Sequence, residues 1–174
     1  MKKQIDVWHY APQILEAIDK GILMTTAADG VVDTMVIGWG TLGIQWKKPL
    51  FTAFVRQSRY TKALLDKNPE FTINIPLGAL DREILSVCGS KSGRDLNKIA
   101  HLGLELVPGD TVSVPGIRQV PLTLECKVIY RQDQVLEGIN EENRTRYYRE
   151  DTKDEGDFHT AFYGQITAAY ILED

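Results

Sequence analysis

The sequence predicts a mainly β fold with short helices, built as a closed, largely antiparallel barrel that occupies residues 1–174 as one domain. Six segments read as strands, and the first two are joined by a D-G pair, the strongest local hairpin signal. The helical segments interrupt the hairpins instead of alternating with strands at βαβ spacing, which disfavours a doubly wound sheet. At 174 residues the chain is too short for two full sandwich layers plus its helices, whereas a barrel removes edge strands by closure.

Residues 11–19 (APQILEAID) carry Ile14, Leu15 and Ile18 at helical offsets, with Pro12 tolerated in the first turn and Gly21 closing the helix. Strands follow at 22–28 and 31–38 around Asp29-Gly30. The segment GWGTLGIQW, with Gly38, Gly40 and Gly43 around Trp39, reads as poor helix and interrupted strand. LFTAFV (50–55) is a strand, and RYTKALLDK (59–67) is a short amphipathic helix stopped by Asn68-Pro69. In EFTINIP, Phe71, Ile73 and Ile75 alternate with Thr72 and Asn74 as a strand requires. Leu80 to Cys88 reads as a helix, and Ser92 with Asp95 resembles a capping box for a second helix that Gly103 ends. After PGDTVSVPG come a long strand at 122–132, a short polar helix at 141–150, a solvated acidic loop (DTKDEGD) and a last strand from His159 onward.

Composition bounds the function. A domain of this length buries roughly 70% of the surface its unfolded chain exposes, so it needs neither disulfides nor a structural metal. Cys88 and Cys126 show no C-x-x-C spacing and are expected to be buried thiols in a reducing compartment. A formal charge of −4 argues against a general nucleic-acid footprint. The first residues carry no apolar run behind Lys2 and Lys3, and no stretch is long and apolar enough to span a membrane, so a cytoplasmic location is the expectation. The histidines are dispersed, without metal-ligand spacing.

The stretch FTAFVRQSRYT is the most informative for chemistry. A strand ends and at once offers Arg56, Ser58, Arg59 and Thr61. Guanidiniums make charge-assisted, often bidentate bonds to phosphate, and hydroxyls and amides at a helix start satisfy the remaining oxygens. Ser58 is placed to cap that helix; in the plainer alternative it does only this and both arginines face water. The glycines beside Trp39 either let a planar heteroaromatic ligand approach the backbone or relieve crowding in a bent strand. Asn74, opposite the apolar face of its strand, either sees solvent or pairs with an imide-like edge. The CGSKSGR segment, with Ser90, Lys91 and Arg94, could form an anion nest or a joint between helices. His159 could be a proton donor or a hydrogen-bonding pocket residue.

In order and spacing, GWGTLG-x₄-KP, LFTAFVRQSRYT, EFTINIP, CGSKSGRDLNKIAHLG and HTAFYGQITAAYIL resemble the flavin reductase-like, or flavoredoxin-like, family of FMN-binding split barrels, across about residues 15–172. The resemblance implies a split β-barrel homodimer with FMN held noncovalently near the subunit interface. It assigns Arg56, Ser58, Arg59 and Thr61 to the phosphate, and Trp39, Gly40, Thr41 and Leu42 to the side of the isoalloxazine. It places Asn74 at the pyrimidine edge and brings Ser90, Lys91 and His159 towards the cofactor or interface. With flavin supplying the redox chemistry, Cys88 is not needed as a nucleophile. The implied activity is electron transfer from NAD(P)H through FMN to free flavin or another acceptor. The alternatives are an electron carrier reduced by a protein partner and a non-catalytic barrel for a phosphorylated ligand; oxidation of a phosphorylated pyridoxine-type vitamer ranks lower.

Overall fold

A computed structural model of the chain describes residues 1–148 and 157–173. Its strands are β1 (Lys2–Gln4), β2 (Ile22–Ala28), β3 (Val31–Ile37), β4 (Gly40–Gln45), β5 (Lys48–Arg56), β6 (Glu70–Ile75), β7 (Leu106–Val107), β8 (Gly116–Ile117), β9 (Leu122–Asp133) and β10 (His159–Leu172). Its α-helices are α1 (Ala11–Lys20), α2 (Tyr60–Lys67), α3 (Arg82–Ser90), α4 (Lys98–His101) and α5 (Glu141–Tyr147). One antiparallel sheet runs in the order β3-β2-β6-β9-β10-β5-β4. β10 is its spine: β9 pairs along one edge, while β5 and β1 share the other.

The barrel is split, and so differs from the closed form predicted by strand count alone. Among the described residues no ladder joins β3 to β4, the two ends of the sheet, although only Gly38 and Trp39 separate them in the chain. Asp29 and Gly30 both take positive φ, as a two-residue hairpin turn requires. Trp46 and Lys47 do the same between β4 and β5 without any glycine, so that hairpin carried no turn signal.

Alternation sets the core. Met24, Phe51, Phe71, Ile73, Leu124 and Phe162 point inward, joined by Ile14 and Ile18 of α1. Leu15, grouped with them by periodicity, faces outward and is half exposed. The outer face of β2 and β6 is covered by the excursion that carries α3, α4, β7 and β8, where Leu23 packs with Ile84, Cys88, Leu104, Ile117 and Val120.

Several boundaries differ from expectation. GWGTLG is regular strand from Gly40, paired throughout with β5. Ser92 starts a turn, not a helix: α4 is a single turn beginning at Lys98, capped by the Asn97 side chain on the Ala100 N–H. α5 ends at Tyr147 with Tyr148, expected within the helix, as its non-helical C-cap; residues 149–150 of the predicted helix and most of the acidic loop (151–156) lie outside the described residues. Asp157, assigned to that solvated loop, is buried by contacts with Ser58. No helix of the described residues is long and apolar enough to cross a membrane.

Candidate functional site

The start of α2, the β3 wall and the segment after α3 enclose a cavity of about 160 Å³. Met35 and Val36 give it an apolar side, and Ser58, Arg59, Tyr60 and Thr61 form the opposite rim. The CGSKSG segment, Cys88 to Gly93, closes it. Of the predicted residues, Ser58, Arg59, Thr61, Ser90 and Lys91 therefore meet in one place. The first-turn amides of Tyr60 and Thr61 have no partner within their helix, as at any helix start, and their residues line the cavity.

Beneath this rim lies a pair the sequence reading missed. Lys98 and Asp33, with side chains 2% and 5% exposed, form an ion pair at 3.0 Å. Lys98 Nζ also donates to the Lys91 carbonyl at 3.3 Å, and Thr61 Oγ1 lies 3.5 Å from Asp33 Oδ2. The pair thus ties β3, α4, the start of α2 and the 91–93 segment together. Gly93 sits so close to Asp33 that a Cβ would stand 2.4 Å from Oδ1, which requires glycine there. Burial raises the Asp33 pKa while Lys98 opposes that rise. With Arg59, Lys91 and Lys98 against Asp33, the described lining is cationic. Arg94 braces the rim by donating to the Ser58 carbonyl at 3.1 Å, with its guanidinium 5.1 Å from the Tyr60 ring. Burial, more than any other cause, pushes the Cys88 thiol up to about 11, so it is protonated near pH 7.

Other predicted residues take different roles. Arg56 does not line the cavity: its guanidinium donates to the carbonyls of Tyr147 and Asp157, each at 3.0 Å. Ser58 caps no helix; its N–H and hydroxyl both donate to the Asp157 carboxylate, at 2.8 and 2.5 Å, and Arg59 holds the N-cap position. Asn74 meets neither solvent nor cavity. It is fully buried beneath the α3–β8 excursion, where Nδ2 donates to Thr123 at 3.0 Å and Oδ1 faces the hydroxyls of Thr25 and Thr72 at 3.4 Å. Gly40 is explained by crowding, since a Cβ would lie 2.8 Å from the Phe51 ring.

Trp39, 40% exposed, and its neighbours Thr41 and Leu42 also stand outside the cavity lining. The Trp39 indole packs on His159 (centroids 4.9 Å apart) and edge-on to Tyr147 (5.0 Å). His159 is buried beside Arg56, Arg59 and Asp157, and its Nδ1 lies 2.7 Å from the Tyr148 hydroxyl. Burial and the two arginines hold its pKa down to about 4, against the opposing pull of Asp157, so its ring is neutral near pH 7.

A family model for the flavin reductase like domain matches residues 16–174. The chain belongs to this family. An uncharacterized protein of Pyrococcus abyssi is 31% identical to the flavin reductase-like chain over 120 residues, 69% of this chain and 55% of that protein. Another from Archaeoglobus fulgidus is 30% identical over 67% of this chain and 58% of its own length, so the chain spans little more than half of these curated relatives. Among solved structures, flavoredoxin from Methanosarcina acetivorans shares the fold at a TM-score of 0.67, with 23% identity, 88% of this chain covered and 68% of that one. The FMN-binding domain of a flavin reductases-like enzyme from Shewanella baltica gives 0.65, with 17% identity and coverage of 98% and 77%.

Proposed function

We propose that this protein is an FMN-dependent oxidoreductase that takes electrons from NAD(P)H and delivers them to free flavin or another acceptor. The observation that carries the proposal is the convergence of Arg59, Lys91, Ser90 and the first amides of α2 on one small cationic cavity. That donor set suits a phosphomonoester: a guanidinium and an ammonium for its charge, with amides for its remaining oxygens, and with the Ser90 hydroxyl, which here donates to the Ser86 carbonyl at 2.7 Å, beside them. The cavity's size fits the same group. Pockets for whole small ligands run to about 300–1,000 Å³, so about 160 Å³ accommodates a phosphorylated tail and leaves the ring system outside it.

In this proposal Arg59 and Lys91 hold the FMN phosphate, and the Lys98–Asp33 pair keeps the 91–93 segment in place around it. Trp39 to Leu42 border the ring, and a second copy of the chain completes the cleft. When bound, FMN supplies the redox chemistry of hydride acceptance and electron release, for which the protein provides position and electrostatics. The absorbance spectrum of the purified protein, taken before and after anaerobic addition of NADH or NADPH, tests this. Flavin bands that bleach with the nucleotide are the expected result. Bands that bleach only with a reduced protein partner would make the protein a carrier, and protein that stays colourless after FMN titration would defeat the proposal.

A further inference from the structure

His159 belongs to a hydrogen-bonded chain whose proton positions follow from donor counting. The Tyr148 hydroxyl lies 2.7 Å from His159 Nδ1 and 2.8 Å from Gln134 Oε1. The same Gln134 oxygen accepts the His159 backbone N–H at 3.2 Å. A backbone N–H only donates, so the amide atom facing it is the carbonyl oxygen, which fixes the orientation of the Gln134 amide. That oxygen only accepts, so the single Tyr148 hydroxyl proton goes to Gln134. The tyrosine oxygen must then accept from His159, and Nδ1 must carry the proton.

We infer that Gln134 and Tyr148 hold His159 in its Nδ1-protonated tautomer, which leaves Nε2 of the neutral ring as a hydrogen-bond acceptor for a ligand N–H rather than a proton donor. The ring does not itself line the cavity but borders the residues that do: it packs against Trp39 at a tilt of 41°, and cavity-lining Arg59 is close enough to act on it electrostatically. Protonation of Nε2 is opposed by burial, by Arg56 on β5 and by Arg59 at the start of α2; among the described residues Asp157 favours it. Arg56 also holds the segment that supplies Tyr148, through the Tyr147 carbonyl. An imide or carboxamide N–H is the donor class that a neutral imidazole acceptor recognises, and a flavin ring and a nicotinamide each carry one. The ligand half of the inference rests on the proposed flavin site; the tautomer half does not.

Nitrogen-15 NMR of histidine-labelled protein, with His159→Gln to assign the signal, tests both halves separately. In protein without ligand, Nδ1 is expected to resonate as a protonated nitrogen and Nε2 as an unprotonated one, without titration from about pH 5.5 to 8.5. Tyr148→Phe keeps the ring but removes its oxygen and should release the tautomer. A protonated Nε2, a titration near the ordinary histidine value, or a signal that Tyr148→Phe leaves unmoved would overturn the lock. FMN should then shift Nε2 if the flavin imide is the donor; a shift only on further addition of oxidised nicotinamide nucleotide assigns the carboxamide. In either case the matching ligand should bind about fivefold more weakly to His159→Gln, as expected for one neutral hydrogen bond. An Nε2 signal indifferent to both would end the acceptor role while leaving the tautomer result standing.

Discussion

Two arginines three positions apart in one loop have separate duties, because the strand ends between them. Arg56 is the last residue of β5 and turns towards the carbonyls of Tyr147 and Asp157, whereas Arg59 sits at the N-cap of α2 on the cavity rim. Arg59→Ala should weaken FMN binding tenfold or more, through loss of a charged-group hydrogen bond of about 1.5–3 kcal/mol, and should leave the melting temperature near its native value. Arg56→Ala should do the reverse: a clear drop in thermal stability without ligand, and a smaller loss of FMN affinity than Arg59→Ala. Flavin titration and thermal melts of the two variants, run side by side, separate the duties. The sequence singled out both residues by type, but the partners of Arg56, the carbonyls of Tyr147 and Asp157, come from far along the chain and no local pattern pointed to them. Asn74 shows the same limit. Alternation placed it opposite Phe71 and Ile73, but only the tertiary arrangement of the α3–β8 excursion decides that this face is buried among threonines.

At the scale of elements, the legible pieces were those whose signal is local. The strands with clear alternation, the Asp29-Gly30 hairpin and the helices α1, α2 and α3 lie close to where periodicity and punctuation set them. β4 was obscured because its order comes from pairing with β5, and its glycine at position 40 accommodates the Phe51 ring rather than marking a break. β1, β7 and β8 are too short to show a period. Gly164 makes a comparable accommodation in β10, at a register shift: a Cβ there would lie 2.4 Å from the Phe71 ring and 2.8 Å from Cys126 Cβ, both in the barrel core. Gly164→Ala should therefore cost about 1–3 kcal/mol by overpacking, read as a lower urea midpoint at unchanged slope. The Lys98–Asp33 pair joins elements and not merely residues. Lys98→Met should cost about 3–5 kcal/mol by stranding a buried carboxylate, and the double variant with Asp33→Asn should recover most of it. Equal losses in the single and double variants, in a double-mutant cycle of urea unfolding, would deny the coupling.

Across the whole molecule, the sheet opens between β3 and β4, and the two sides of that opening border the features of interest: β3 lines the cavity, and Trp39 stands at the head of β4 against His159. Holding a histidine neutral in this position has a global consequence. The unfolded chain protonates His159 near the ordinary value of about 6.5, whereas the folded chain resists until about pH 4. Between those limits the unfolded state binds the extra proton, so this group's contribution to stability falls as pH is lowered through the window and levels off below it. Asp33 acts in the opposite sense. Its raised pKa lets the folded state take up a proton first, so acidification through its range favours the fold. A melting curve of the native protein alone mixes the two effects. The difference between native protein and His159→Gln isolates the first, because Asp33 is common to both. The native melting temperature should drop more steeply than that of His159→Gln between about pH 6.5 and 4, with the two running parallel above that range. Parallel curves through the whole window would mean that His159 titrates alike in both states, and its enforced neutrality would then have to be abandoned.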